Sequence, residues 1–368
     1  MADRVETEVL VVGGGIAGAS AAYHLAALGR QVRCMGSLEV FRRLQLDLGE
    51  DIEFRQCGNL QVAQTEAEEG YAREQVAALR ARGHQVELLE AREARAVEPW
   101  LGPRVRCAVL APLSAQADPV KATRALARAA QEAGAQVRPG REVLGLAVEG
   151  DGSYVASTRA GVVRAGALVL AAGAWCAPLG RLLGLEVPVV PVRGQMWATP
   201  PLPPRVFHTI SGAESALAWH LQEREGTATA PPHLTHGEGG RLTRHLYGRQ
   251  RASGEVVFGG DRQAVGYNRA VEAAGVEVNR GHAAEVLPFL AAAPVQRTWA
   301  GLMPFTRDGR PLIGRVRERP NLYLVTGLAS SGFGRGPMAG KLLAELVHTG
   351  QAPAVLAEAD PAGRVREV

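Results

Sequence analysis

The sequence predicts an α/β protein, with a doubly wound sheet built from both ends of the chain and a largely antiparallel α+β domain inserted between them. Three observations predict it. Near the N-terminus an apolar run, TEVLVV at 7–12, meets a glycine-rich turn, GGGIAGAS, and then a run of helix formers. Near the C-terminus the same order returns: NLYLVTG at 321–327, the turn GLASSGFGRGP, and the helix MAGKLLAELVHTG. Between 187 and 300 the pattern changes to short strands and irregular loops. Strands alternating with helices make a parallel sheet covered on both faces, whereas consecutive strands make an antiparallel one.

The elements follow in order. TEVLVV is short, apolar and β-branched, as a buried strand is. AAYHLAALG is a helix with Gly29 as its C-cap. VRCM at 32–35 reads as a second strand and LEVFRRL at 38–44 as a helix. CGNLQVA at 57–63 is a strand, Thr65 and Glu68 form a capping box for a helix to Arg82, and VELL at 86–89 is a strand. Asp118 and Pro119 suit the N-cap and first position of the next helix. EVLGLAV, YVASTR and GVVRA read as an antiparallel meander, ALVLAAG at 167–173 as a separate buried strand, and WCAPLGRLLG as a helix. HLYGRQRASGEVVFGG forms a hairpin turning through Ala252–Gly254.

Composition excludes several classes. The 368 residues are 46% hydrophobic and 21% charged, with a mean hydropathy of −0.03, which fits a globular core and argues against disorder. No apolar run reaches the ~18 residues of a membrane span, and the N-terminal stretch has no secretory pattern, so the expected location is cytoplasmic. The net charge of +4 and pI of about 9.1 come almost wholly from scattered Arg; Lys occurs only at Lys121 and Lys341. Interleaved with Glu, these describe a solvated surface, not a nucleic-acid site. Cys34, Cys57, Cys107 and Cys176 form no CxxC pair and read as small hydrophobes. His220, His233, His236 and His245 lack a carboxylate or Cys at metal-ligand spacing, so no metal is expected.

Gly13, Gly15 and Gly18 complete GxGxxG between a strand and a helix. The first permits a tight turn, the second lets a pyrophosphate approach the backbone, and the third lets helix and strand pack closely. The helix N-terminus favours the anion. Alone this is a weak signal, because a plain glycine-rich turn has the same spelling.

Five segments in order resemble the FAD-dependent amine and amino-acid oxidase family that contains glycine oxidase and the sarcosine oxidases. They are EVLVVGGGIAGASAAYHLA, LVLAAGAW, VPVVPVRGQM, DGRPLIG (Asp308 to Gly314) and GFGRGPMAGKLLAEL, and they span nearly the whole chain. The resemblance implies a Rossmann-like FAD-binding domain from 1–56, 112–188 and 301–368, and a substrate domain from 57–111 and 189–300. It implies cofactor contacts at Gly13, Gly15, Ile16, Ala17, Gly18, Ala172, Gly173, Gly301, Gly327, Gly332 and Phe333.

Three departures qualify this. An acidic residue for the ribose is expected about 20 residues beyond the glycines, and Gly36 stands there. Several dozen residues of the family pattern are missing between Met35 and Ser37. An internal deletion, a truncated cofactor site, or a shifted register with Glu39 serving would each account for it. Second, Met303 replaces the Arg that would fork onto a substrate carboxylate; WAGL is closer to the sarcosine oxidase β-subunits. His245, Arg249 and Arg335 are the remaining substrate candidates, against the alternative of structural or surface side chains. Third, Gly301 and Ala117 occupy the positions where relatives attach flavin covalently, so FAD is expected to be non-covalent. The implied reaction oxidises a small amine or amino acid (sarcosine-, glycine- or proline-like) to an imine by hydride transfer to flavin, with oxygen or an electron-transfer partner as acceptor and room for heteromeric subunits. No catalytic base stands out. The alternative is a degenerate flavoprotein-like scaffold; a nicotinamide dehydrogenase leaves the C-terminal glycines unexplained.

Overall fold

The computed structural model describes residues 3–28, 37–46, 49–225, 236–237, 240–241 and 245–368. Gly29, the 32–35 strand, Gly36, the junction after Met35 and His233 lie outside the described residues. Two compact units make up the chain. Unit 1 is Met1–Ile52, Pro119–Pro191 and Met303–Val368; unit 2 is Glu53–Asp118 and Val192–Leu302.

Along the chain, β1 (Asp3–Val12) leads to α1 (Ile16–Ala26) and α2 (Ser37–Leu46). Then come β2 (Asn59–Ala63), α3 (Glu66–Ala81), β3 (Glu87–Glu90), α4 (Ala91–Val97) and β4 (Cys107–Ala111). α5 (Pro119–Glu132) precedes β5 (Val143–Val148), β6 (Tyr154–Thr158), β7 (Gly161–Leu170) and α6 (Cys176–Leu182). β8 (Val189–Pro201), β9 (Thr209–Gly212), α7 (Glu214–Glu225), β10 (Tyr247–Gln250), β11 (Glu255–Gly259) and α8 (Ala273–Val286) follow. β12 (Arg297–Thr306), β13 (Leu312–Arg315), β14 (Leu322–Thr326) and α9 (Gly332–Thr349) close the chain.

In unit 1, β7 is the central strand. β1 runs parallel to it over its whole length, from Asp3 opposite Gly161 to Val12 opposite Leu170. On its other edge the first half pairs antiparallel with β6, and the second half pairs parallel with β14. The sequence pattern split this stretch into a meander strand and a separate buried strand. The structure corrects that: one uninterrupted strand serves both neighbours. Long pairing with β1, from Asp3 to Val12, holds the two segments in one strand.

Helix α9 also differs from expectation. GFGRGP is not a turn; the helix begins at Gly332 and carries Pro337 inside it. Packing explains the glycines. A methyl on Gly336 would sit 2.6 Å from Ile16 Cγ2, and one on Gly340 2.6 Å from Ala17 O and Ala21 N. The two helices therefore touch backbone to backbone, and the Ser20 hydroxyl donates to the Pro337 carbonyl at 2.6 Å.

Unit 2 carries an eight-stranded sheet in the order β12-β8-β11-β10-β9-β2-β4-β3. One face packs on α8 through Leu60, Ile210, Leu246, Phe258 and Trp197, each buried apolar side chain contributing about 1.5–3 kcal/mol. Trp197 is fully buried, and its ring N–H donates to Asn279 on α8 at 2.9 Å. On the other face α3 covers the β2–β4 end through Ala72 and Val76. Half of the expected capping box is present: the Thr65 hydroxyl accepts from Glu68 N at 3.2 Å, but the Glu68 carboxylate accepts from Gln64 N, one residue before the N-cap, at 2.9 Å. Helices α7 and α8 were not foreseen. α7 buries none of its residues and shows no apolar stripe. α8 contains Gly, Val and Asn, poor helix formers, and is held by what it buries.

Candidate functional site

The turn after β1 sorts its glycines by what surrounds them. A methyl on Gly13 would overlap the Ala171 carbonyl at the end of β7, and its φ of +131° suits only glycine. A methyl on Gly18 would overlap the Gly13 carbonyl. These two positions bring strand and helix together. At Gly14 and Gly15, by contrast, a methyl would meet nothing within 4 Å. Gly15 is the N-cap of α1, no side chain caps the helix, and its first turn contains no acidic residue. The N–H groups of Ile16, Ala17 and Gly18 have no intrahelical acceptor, and the open positions Gly14 and Gly15 lead up to them at the positive end of the helix dipole, a setting that suits a pyrophosphate. On this observation the residues fit an FAD.

The other cofactor candidates in unit 1 lie at strand ends. Ala172 and Gly173 follow β7, and the Thr326 hydroxyl donates to Gly173 O at 2.9 Å. Gly327 follows β14 with φ +73°, and a methyl there would sit 2.6 Å from Thr306 Cγ2. Two residues on, Ala329 holds φ +50°, a conformation that costs a non-glycine residue roughly 1 kcal/mol or more. Phe333, in the first turn of α9, contacts Phe41 of α2 with ring centroids 4.9 Å apart. Gly332 begins α9. Gly301, on β12 but in unit 2, is exposed, with nothing within 4 Å of a methyl placed on it. Glu39 on α2 is ion-paired with Arg43 at 3.1 Å.

The substrate candidates separate. Met303 is half-buried on β12 and Arg335 is exposed on α9, both in unit 1. His245 lies in unit 2, between Ser215 Oγ (2.7 Å from Nδ1) and Arg262 Nη2 (3.1 Å from Nε2). A guanidinium can only donate, so Nε2 accepts and Nδ1 carries the proton that Ser215 receives. Burial, then the Arg262 and His282 charges, push the His245 pKa well below its usual value. It is a neutral side chain with both ring nitrogens engaged. Burial likewise lowers Arg262 to about 10.

Arg249 is placed differently. Register sets Tyr247 opposite Ser211 and Gly259, and Arg249 opposite Val257; Gly259 in turn faces Met196. These residues share the sheet face opposite α8. Arg249 is half-buried and, among the described residues, makes no hydrogen bond, ion pair or ring contact.

A second polar system occupies the α8 side. Buried Arg193 donates to Gln263 and to the Ala270 carbonyl and pairs with Glu272; Gln195 binds Asp261 and the Glu272 N–H. This network pins the 261–272 loop and accounts for the VRGQM segment as structure. Sequence reasoning passed over it, because its partners are ~70 residues apart.

The described cysteines are unpaired. Cys107 and Cys176 are buried, and burial raises both thiols to about 11; Cys57 is half-buried. No helix of the described residues is long and apolar enough to cross a membrane.

Comparison with known proteins agrees with this architecture. The chain is 27% identical to glycine oxidase of Bacillus licheniformis over 387 aligned positions, covering 94% of each. It is 29% identical to hydrogen cyanide synthase subunit HcnC of Pseudomonas aeruginosa, covering 84% of this chain and 67% of that one. The crystal structure of glycine oxidase from Geobacillus kaustophilus superposes with a TM-score of 0.80 at 25% identity, covering 97% and 98%. The FAD dependent oxidoreductase (DAO) family matches residues 33–346, and the chain belongs to that family.

Proposed function

We propose that this chain binds FAD non-covalently and oxidises a small amine or amino acid of the sarcosine, glycine or proline kind to its imine. The observation that carries the reading is the open, uncapped N-terminus of α1, walled by Gly13 and Gly18 and left clear at Gly14 and Gly15. When bound, the flavin supplies the acceptor for a hydride equivalent from the substrate α-carbon. The chain supplies the rest. Ile16, Ala17 and Gly18 N–H groups would hold the pyrophosphate. Ala172, Gly173, Gly301, Gly327, Gly332 and Phe333 would line the remainder. Gly301 and Ala117 offer no nucleophilic side chain for a covalent link.

Of the substrate candidates, Arg249 and Arg335 carry charges without a partner among the described residues, and Arg249 is the half-buried one of the two. His245 is engaged on both nitrogens and so serves to order its surroundings rather than to take a proton. The amine is oxidised as the free base, which its own equilibrium supplies. Oxygen or an electron-transfer partner would take the electrons, and similarity to a protein named as a subunit supports heteromeric assembly.

The test is the visible spectrum of the purified protein before and after FAD addition. Flavin bands that survive gel filtration and bleach anaerobically with sarcosine, glycine, proline or a D-amino acid are expected. A colourless protein with no saturable FAD binding would favour the degenerate scaffold instead. The 387 aligned positions with the Bacillus relative exceed this chain's 368 residues, so that relative carries residues absent here.

A further inference from the structure

We infer that Thr326 is a positioning residue for the cofactor: its hydroxyl fixes the turn after β7 against the end of β14 and so holds one wall of the α1 cradle in place. The inference rests on the proposed FAD binding and adds a residue that acts through the turn. β1, β7 and β14 run parallel, so their carboxyl ends lie on one side of the sheet, where open α/β sheets receive their ligands. The ladder between β7 and β14 pairs Leu322 with Leu168, Tyr323 with Val169 and Leu324 with Leu170, and goes no further. Beyond it both chains turn, β7 through Gly173 at φ +56° and β14 through Gly327 at φ +73°. Thr326 stands at this gap, and its hydroxyl donates across it to the Gly173 carbonyl at 2.9 Å.

Two features single out this bond. Thr326 closes LYLVT, a strand of otherwise aliphatic and aromatic side chains, and is only 1% exposed. A valine would fill the same space with no hydroxyl to satisfy, so the polar atom is accounted for by the bond it makes. The turn it holds is also the one that abuts the cradle. A methyl on Gly13 would lie 2.3 Å from Ala171 O and 2.8 Å from Ala172 N, and Ala171 N donates to Val12 O at 2.8 Å. Contacts therefore run from Thr326 through Gly173 and Ala171 to Gly13, which begins the turn into α1. Inside the β7 turn, Gly173 O also accepts from Cys176 N, and Trp175 N donates to Ala172 O at 3.0 Å. Those bonds move with the turn, whereas the Thr326 bond anchors it to another strand. Glycine at 173 leaves the backbone free to shift, so the anchor decides where the turn sits.

The test is a fluorescence titration of the FAD-free protein with FAD, followed by visible circular dichroism at saturating FAD. Thr326→Val keeps the shape and removes the hydroxyl. It should weaken FAD binding about 10-fold and alter the dichroism of the bound flavin. Thr326→Ser restores the donor and should bind within about 3-fold of the wild type, with the wild-type spectrum. Tyr154→Phe is the control. The Tyr154 hydroxyl donates to the Pro320 carbonyl at 2.6 Å, a bond of the same kind beside the opposite end of β14. Its loss should lower the melting temperature of the FAD-free protein as Thr326→Val does, yet leave FAD affinity and the flavin spectrum unchanged. Thr326→Ala replaces the valine variant if that one does not fold. Wild-type affinity and spectrum in Thr326→Val would overturn the positioning role and leave FAD binding standing. Equal losses in Tyr154→Phe, or a loss that serine does not restore, would do the same. A wild type without saturable FAD binding would overturn the FAD reading itself, and the positioning role with it.

Discussion

The two units solve recognition in opposite ways. In unit 1 the candidate cradle is built from backbone: Gly13, Gly18, Gly336 and Gly340 remove side chains so that strand and helices touch, and Gly14 and Gly15 leave space. In unit 2 the sheet is built around buried polar side chains. Arg193 and Glu98 are both fully buried, and each is tied to several partners. The first region fails when atoms are added, the second when atoms are removed.

The largest effect expected from that contrast is at Glu98. Its carboxylate accepts from the Phe207 and His208 N–H groups at 3.1 Å and from His208 Nδ1 at 2.9 Å. Glu98→Ala strands three donors and should cost about 4 kcal/mol of unfolding free energy in urea titrations. A loss under 1 kcal/mol would break the claim that unit 2 depends on such clusters.

His24 tests unit 1 by protonation instead. Its Nδ1 donates to Ser20 O at 2.8 Å, and Nε2 is buried without a partner among the described residues. Desolvation is the main cause that lowers its pKa from 6.5 to about 4; Lys341 adds to it, against the Ser20 bond. The folded form takes the proton less readily than the unfolded chain. The stability due to neutral His24 is therefore complete above pH 6.5 and is lost as pH falls toward 4, by about 3 kcal/mol. Urea midpoints at pH 7 and pH 4 should show that drop in the wild type and a correspondingly smaller one in His24→Gln.

Gly340→Ala places a methyl against the α1 backbone and should cost about 2 kcal/mol despite the better helix propensity. Gly334→Ala, on the same helix with nothing within 4 Å, should stabilise by up to about 1 kcal/mol. Thermal melts of the two side by side sharpen the division between contact and open glycines. Equal effects would erase it.

What the sequence conveyed follows the same division. β1, the GxGxxG turn, the Thr65 N-cap and the hairpin at Ala252–Gly254 are local, and each has a spacing that spells it. β7 was divided because nothing local shows the long parallel partner, β1, that holds both halves in one strand. GFGRGP looked like a turn because the glycine content that lets α9 lie on α1 is also the content of loops. The Arg193–Gln263 network was missed because nothing local marks it: its two ends are 70 positions apart, and only the fold brings them together.

Gly15→Asp tests the central claim most directly, with FAD binding followed by flavin fluorescence and stability by thermal melting. Asp is among the best N-cap residues, so α1 should be held as well as before or better. Its carboxylate would occupy the space proposed for a pyrophosphate. The account predicts saturable FAD binding by the wild type and at least 100-fold weaker binding by a variant that melts no lower. Undiminished FAD affinity in the Asp variant would contradict it.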